Sequence, residues 1–176
     1  EGVGGTWRDN TYPDAACDVP SHFYSFSFAQ NPDWSRKWAK QPEILAYFES
    51  LVARFDMADH FRFGVEVTEA TWSDEDLCWT LRTADGSQVV ADVVVSGLGQ
   101  LNMPHIPDFE GLGEFGGTKF HSARWDHDHA LSGESVGVIG IGASAIQFVP
   151  PIAKEAGSTT LFQRSANYVA PKPDRE

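Results

Sequence analysis

Residues 1–40 carry no sustained period. Aromatic residues alternate irregularly with Gly and Pro, as in an extended, loop-rich segment. At Gln41 the pattern changes. Pro42 suits a first helical turn and Glu43 suits the positive end of the macrodipole. Ile44, Leu45, Phe48, Leu51, Val52 and Phe55 then recur as one apolar stripe, which predicts a helix. Three runs rich in β-branched and aromatic residues follow, at 61–72, 77–83 and 89–95. Asp85-Gly86 between the last two is a hairpin turn signal, so these runs predict a small antiparallel sheet. The third run empties into Ser96-Gly97-Leu98-Gly99, and residues 103–113 hold Pro104, Pro107, Gly111 and Gly113, as a linker between domains would. From Ser135 the pattern becomes a short buried run (136–139), a helical stretch (143–156) and a second strand (159–162). That order predicts a βαβ unit with parallel strands.

Composition narrows the class. The chain has 176 residues, 41% of them apolar, with six Trp and twelve Phe, enough for a real core. A formal charge of −12 argues against a nucleic-acid surface, because phosphate binding needs clustered Lys and Arg. Cys17 and Cys78 give neither a disulfide framework nor metal-ligand spacing, and free thiols suit a reducing compartment, so a cytoplasmic location is expected. No stretch has the length and apolarity of a membrane span, and no signal-peptide pattern is visible. The chain opens at Glu1 within a glycine-rich stretch and stops just after a strand-like run, so both ends read as cuts in a longer polypeptide.

Two motifs carry chemistry. Gly140-Ile-Gly142-Ala-Ser-Ala145 falls between a strand and a helix, where a dinucleotide turn belongs. Gly140 allows the tight turn, Gly142 lets the backbone approach a pyrophosphate, and Ala145 keeps helix and strand close. A plain strand-to-helix turn reads the same way. The end of the next strand tips the balance. A site for NAD places a carboxylate there, whereas this chain has Gln163-Arg164-Ser165. A carboxylate would repel a 2′-phosphate and a guanidinium would bind it bidentately, so the chemistry favours NADPH over a merely solvated Arg164. The expected coenzyme set is Gly140, Gly142, Ala143, Ser144, Ala145, Gln147, Arg164 and Ser165.

The second motif is F-x-G-x-x-x-H-x-x-x-W-[P/D], matched at Phe115, Gly117, His121, Trp125 and Asp126. His121 and Trp125 would share a face if helical. Alone they also read as a satisfied polar His and a core Trp. In Asp126-His127-Asp128-His129 the two histidines lack further ligands at supportive spacing, so no metal is expected.

Together the motifs make the chain resemble the class B flavoprotein monooxygenases, in their Baeyer–Villiger subgroup. The resemblance runs from Gly4-Gly5-Thr6-Trp7 to Phe162-Gln163-Arg164-Ser165. It implies an α/β fold, a fragment of a flavoprotein with two Rossmann-like dinucleotide-binding domains and a small antiparallel excursion. Residues 1–102 would be the later part of an FAD domain, 103–134 the fingerprint linker, and 135–176 the start of an NADPH domain. The implied reaction inserts one oxygen of O2 into a ketone, through a flavin C4a-peroxide, to give an ester or lactone. Thr6, Trp7, Asp18, Tyr24 and Val67 would contact FAD. Asp18 would be the catalytic carboxylate, orienting an arginine outside this chain. His121 and Trp125 would belong to the hinge between domains, and Trp125-Asp126 separates the subgroup from relatives that oxygenate nitrogen and sulfur. The implied partners are a small ketone and O2, with no nucleic acid or membrane and the oligomeric state open. Two rivals stand: a nitrogen- or sulfur-oxygenating flavin monooxygenase, and a non-catalytic nucleotide-binding remnant. The isolated chain is expected to be inactive.

Overall fold

The computed structural model describes residues 2–172. The aperiodic first forty residues are mostly loop, but tied loop. Helix α1 (Thr6–Asp9) follows Gly4 and Gly5, at φ 113° and 47°. A Cβ on Gly4 would stand 2.4 Å from Cδ1 of Leu45, so glycine is what lets α1 reach the next helix. Further on, Cys17 N–H donates to Ala39 C=O at 3.0 Å and Gln41 N–H donates to Ala15 C=O at 2.8 Å. The buried Ser21 hydroxyl donates to Arg36 C=O and accepts from Ala39 N–H, both at 2.8 Å. These bonds satisfy backbone that would otherwise be buried unpaired.

Helix α2 (Gln41–Arg54) forms as its apolar stripe predicts, but the face it buries is rotated. Gln41, Ile44, Tyr47 and Leu51 are buried, whereas Phe55 lies past the helix end, 42% exposed. Tyr47 wins the inward place because its hydroxyl has polar work there. It accepts from Phe26 N–H and donates to Ala29 C=O, each at 2.9 Å. The first core gathers Cys17, Ala29, Trp34, Ala39, Ile44, Tyr47 and Leu51, with Trp7, Tyr24 and Phe48 at its rim. Burying Ile44 alone is worth about 1.5–3 kcal/mol.

The antiparallel sheet is shorter than the hydrophobic runs. Strands β1 (Val67–Ser73), β2 (Cys78–Thr83) and β3 (Gln88–Ala91) pair in the order β1-β2-β3. β1 starts at Val67 because Val67 faces Thr83, the last residue of β2. Residues 61–66 have no strand opposite, and the Phe61 and Phe63 rings stack on each other instead, 5.4 Å apart. β3 stops at Ala91 opposite Trp79, and Val93 and Val95 beyond it are 75% and 87% exposed. The Asp85-Gly86 turn forms as expected. Asp85 Oδ1 accepts from the Thr83 hydroxyl, the Ser87 N–H and the Ser87 hydroxyl, which pulls its carboxyl down to about 2.

The βαβ unit holds most closely. β4 (Ser135–Ile139) and β5 (Ser158–Phe162) are parallel, in register Ser135↔Ser158 to Ile139↔Phe162. Helix α3 (Ala143–Glu155) joins them and carries Pro150 and Pro151, which remove two backbone donors without ending the helix. The second core consists of Leu131, Val138, Ala145, Phe148 and Ile152, with Tyr12, Trp125, Val136 and Val149 packed on it. Among the described residues no helix is long and apolar enough to cross a membrane.

Candidate dinucleotide sites

The turn after β4 has the conformation its glycines imply. Gly140 sits at φ 105°, where an L side chain would be strained, and its N–H donates to Phe162 C=O at 2.8 Å, tying the turn to the end of β5. Cβ atoms built on Gly140 or Gly142 meet nothing within 4 Å, so the backbone faces open space. Gly142 is the N-cap of α3 and no side chain caps that end, leaving the first-turn N–H groups open to an anion. Ala145 is buried in the second core, as helix-to-strand packing requires.

A cavity of about 510 Å³ opens at this turn. Gly140 and Gly142 line one side, Gln163, Arg164 and Ser165 another, and Pro107 and Phe109 reach in from the linker. Ala143 and Ser144 form the first turn of the helix beside it. Arg164 is exposed, and no carboxylate pairs with it among the described residues. Asn167 went unnoticed in the sequence. Its Nδ2 donates to Ile141 C=O at 2.7 Å and so holds the chain after β5 against the glycine turn. A lone Asn in an aperiodic stretch gave no signal for that.

Gln147 points the other way. Its carboxamide engages Tyr12, Ala16 and Asp18. Asp18 is exposed, and its Oδ1 also meets the Lys172 ammonium, which donates in addition to Cys17 C=O at 3.1 Å. Burial pushes the neighbouring Cys17 thiol up, so it stays protonated. Trp7 and Tyr24 meet edge to face, 5.7 Å between ring centroids, and the indole N–H donates to the Tyr24 hydroxyl at 3.0 Å. Beside them Thr6 is exposed and Gly5 is open on its Cβ side. Val67 belongs to the antiparallel sheet and is 52% exposed.

The fingerprint residues do not share a helix face. A single 3₁₀ turn, Ser122–Arg124, separates His121 from Trp125, and both flanking residues are extended. His121 caps that turn, its Nδ1 accepting from Ala123 N–H at 3.1 Å, so the spacing serves a cap and not a helical pair. Trp125 packs between Phe120 and Phe148, at 5.2 and 5.3 Å, which fastens the linker to α3. A Cβ on Gly117 would lie 2.7 Å from Cζ of Phe115, so that glycine makes room for the ring. Asp126 Oδ1 accepts from Asp128 N–H at 3.1 Å and closes the turn that follows. His127 meets Thr11 at 2.7 Å and His129 meets Glu134 at 2.9 Å, so the two imidazoles face separate partners.

Known proteins resemble this arrangement over nearly the whole chain. A Baeyer-Villiger monooxygenase of Streptomyces coelicolor is 53% identical over 173 residues, which cover 98% of this chain and 33% of the relative. A solved structure of an oxidized steroid monooxygenase bound to NADP superposes with a TM-score of 0.89 at 46% identity, over 99% of this chain and 34% of that one. OTEMO in complex with FAD and NADP gives a TM-score of 0.92 at 33% identity, over 99% and 35%. The chain therefore spans about a third of the length of the relatives it matches, and its neighbours are flavin monooxygenases of the same α/β fold. A sequence model described as flavin-binding monooxygenase-like matches residues 13–173, and the chain belongs to that family.

Proposed function

We propose that this chain is the FAD-facing and NADPH-facing middle of an enzyme that uses both cofactors and O2 to convert a ketone to an ester or lactone. Residues 1–102 and 135–176 would belong to the two nucleotide domains and 103–134 to the linker. The residues present fit such ligands. Gly140 at φ 105° and the open space over Gly140 and Gly142 form a cradle that a side chain would fill, beside an uncapped helix N-terminus. Open backbone at Gly5 beside the Trp7–Tyr24 wall suits a flat ring system.

When bound, NADPH supplies hydride and FAD supplies the oxygen activation, and the protein binds, orients and excludes water. The first-turn amides at Ala143, Ser144 and Ala145 would hold the NADPH pyrophosphate, and Arg164 with Ser165 the 2′-phosphate. Thr6, Trp7, Asp18, Tyr24 and Val67 would line the flavin nucleotide, with Asp18 as the carboxylate that orients a cationic side chain near the reacting atoms. His121 and Trp125 would transmit movement between the domains. The observation that carries the coenzyme half is the cavity joining the Gly140 turn to Arg164, which has no carboxylate partner among the described residues. The family resemblance at Trp125-Asp126 supports carbon over nitrogen and sulfur as the atom oxygenated. The test supplies full-length protein with NADPH and either cyclohexanone or a thioether, and identifies products by mass spectrometry. Lactone from the ketone is expected. Sulfoxide without lactone would replace this reading with the heteroatom-oxygenating one.

A further inference from the structure

Helix α3 links the two candidate sites, and Gln147 is where the link is made. It stands five residues past the Gly142 N-cap, about 7.5 Å along the axis at roughly 1.5 Å per residue. Its carboxamide pairs with the Ala16 backbone in both directions. Oε1 accepts from Ala16 N–H at 3.0 Å, and Nε2 donates to Ala16 C=O at 2.9 Å. That is the exchange made by one hydrogen-bonded pair of an antiparallel ladder, here supplied by a side chain 131 residues away. The Tyr12 hydroxyl donates to the same Oε1 at 3.2 Å, and the second Nε2 hydrogen faces Asp18 Oδ1 at a longer 3.4 Å.

A primary amide has two donors and two acceptor sites, and all four are engaged. Ala16 fixes the orientation of the amide, since exchanging oxygen and nitrogen would set donor against donor. The group has nothing left to offer a coenzyme in the cavity. What it does hold is the segment that presents Asp18, whose other partner is Lys172.

We propose that Gln147 is a positioning residue: it clamps residues 12–18 to α3, so that dinucleotide binding at the N-terminus of the helix is transmitted to Asp18. The transmission rests on the coenzyme reading above, whereas the clamp does not.

Hydrogen exchange on the full-length protein tests both, with NADP+ as the probe. Gln147→Leu removes every polar contact at similar bulk. It should raise exchange at the Ala16 amide about tenfold or more while NADP+ affinity stays within about threefold. In the wild type NADP+ should slow exchange over residues 12–18, and in the variant it should not. Gln147→Glu adds a pH signature. As a carboxylate it still accepts from Ala16 N–H but cannot donate to Ala16 C=O, and it repels Asp18; protonated, it keeps one donor. Protection at Ala16, corrected for intrinsic rate, should therefore be weakened near pH 8, where one bond replaces the exchanged pair, and recover toward pH 5, with the like charge of Asp18 raising the new group above the ordinary Glu value of about 4.3. A packing role alone would show no such recovery, and this variant carries the test if Gln147→Leu does not fold. Wild-type protection at Ala16 in Gln147→Leu, or protection in Gln147→Glu that does not change between pH 8 and pH 5, would overturn the clamp. NADP+ slowing residues 12–18 equally in wild type and Gln147→Leu would overturn the transmission. A wild-type protein that does not bind NADP+ would sink the coenzyme reading, and the Ala16 exchange would still decide the clamp.

Discussion

On the proposed reading, coenzyme choice turns on Arg164. It follows β5 by two positions, lines the same cavity as Gly140, and has no carboxylate partner among the described residues. An exposed, unpaired guanidinium is free to take a phosphate without first breaking an ion pair. In the full-length protein Arg164→Ala should weaken NADPH binding by about 1.5–3 kcal/mol, the range for hydrogen bonds to charged groups, and leave NADH nearly unchanged. Isothermal titration with both coenzymes checks this, and equal losses would remove the 2′-phosphate assignment. The place of Arg164 was legible in the sequence because it depends on local order: strand end, then charge. Gln147 was legible only as a member of the coenzyme turn. Its partners Tyr12, Ala16 and Asp18 lie about 130 residues earlier, a separation no local pattern encodes.

At the scale of elements, the periodic ones were readable and their limits were not. The α2 stripe and the β4–α3–β5 unit follow from repeats of 3.6 and 2 positions. The extents of β1 and β3 do not, because pairing ends where the neighbouring strand ends, and hydrophobicity does not report that. The fingerprint shows the same limit. Five fixed positions suggest a linker motif, and its local geometry is a capped 3₁₀ turn and not a helix. What the motif achieves is a rigid joint: His121 caps the turn and Trp125 wedges it between Phe120 and Phe148. Trp125→Ala should therefore cost about 3 kcal/mol, the low end for such truncations given that the ring is only partly buried. If the joint also gates the domains, the full-length variant should reduce its flavin more slowly in stopped flow while keeping its ketone preference. Trp125→Phe should recover most of both. Normal reduction in Trp125→Ala, despite the lost stability, would leave the residue a purely structural part.

For the whole molecule, surface area is the informative quantity. The chain exposes 13063 Å² for a mass of 19.4 kDa. A compact monomer of that mass is expected to expose about 8,500 Å², so roughly 4,500 Å² is in excess. Much of the excess is apolar and falls in definite places. Phe23 is 81% exposed before α2, and Val93, Val95 and Leu98 are 74% exposed or more on the chain leaving β3. The β4–β5 sheet has two strands and depends on its packing against α3 for stability in water. Surface of this kind is covered in a working protein, and in the relatives, of which the matched segment is about a third, further chain is present that could cover it. Expressed alone, these 176 residues should bind a hydrophobic dye such as ANS, self-associate, and show no ketone oxidation. The full-length protein should do none of the first two. Light scattering coupled to gel filtration, with ANS fluorescence on the same samples, separates the outcomes. A monomeric, dye-silent 176-residue protein would mean that the exposed valines and phenylalanines pack within this chain after all.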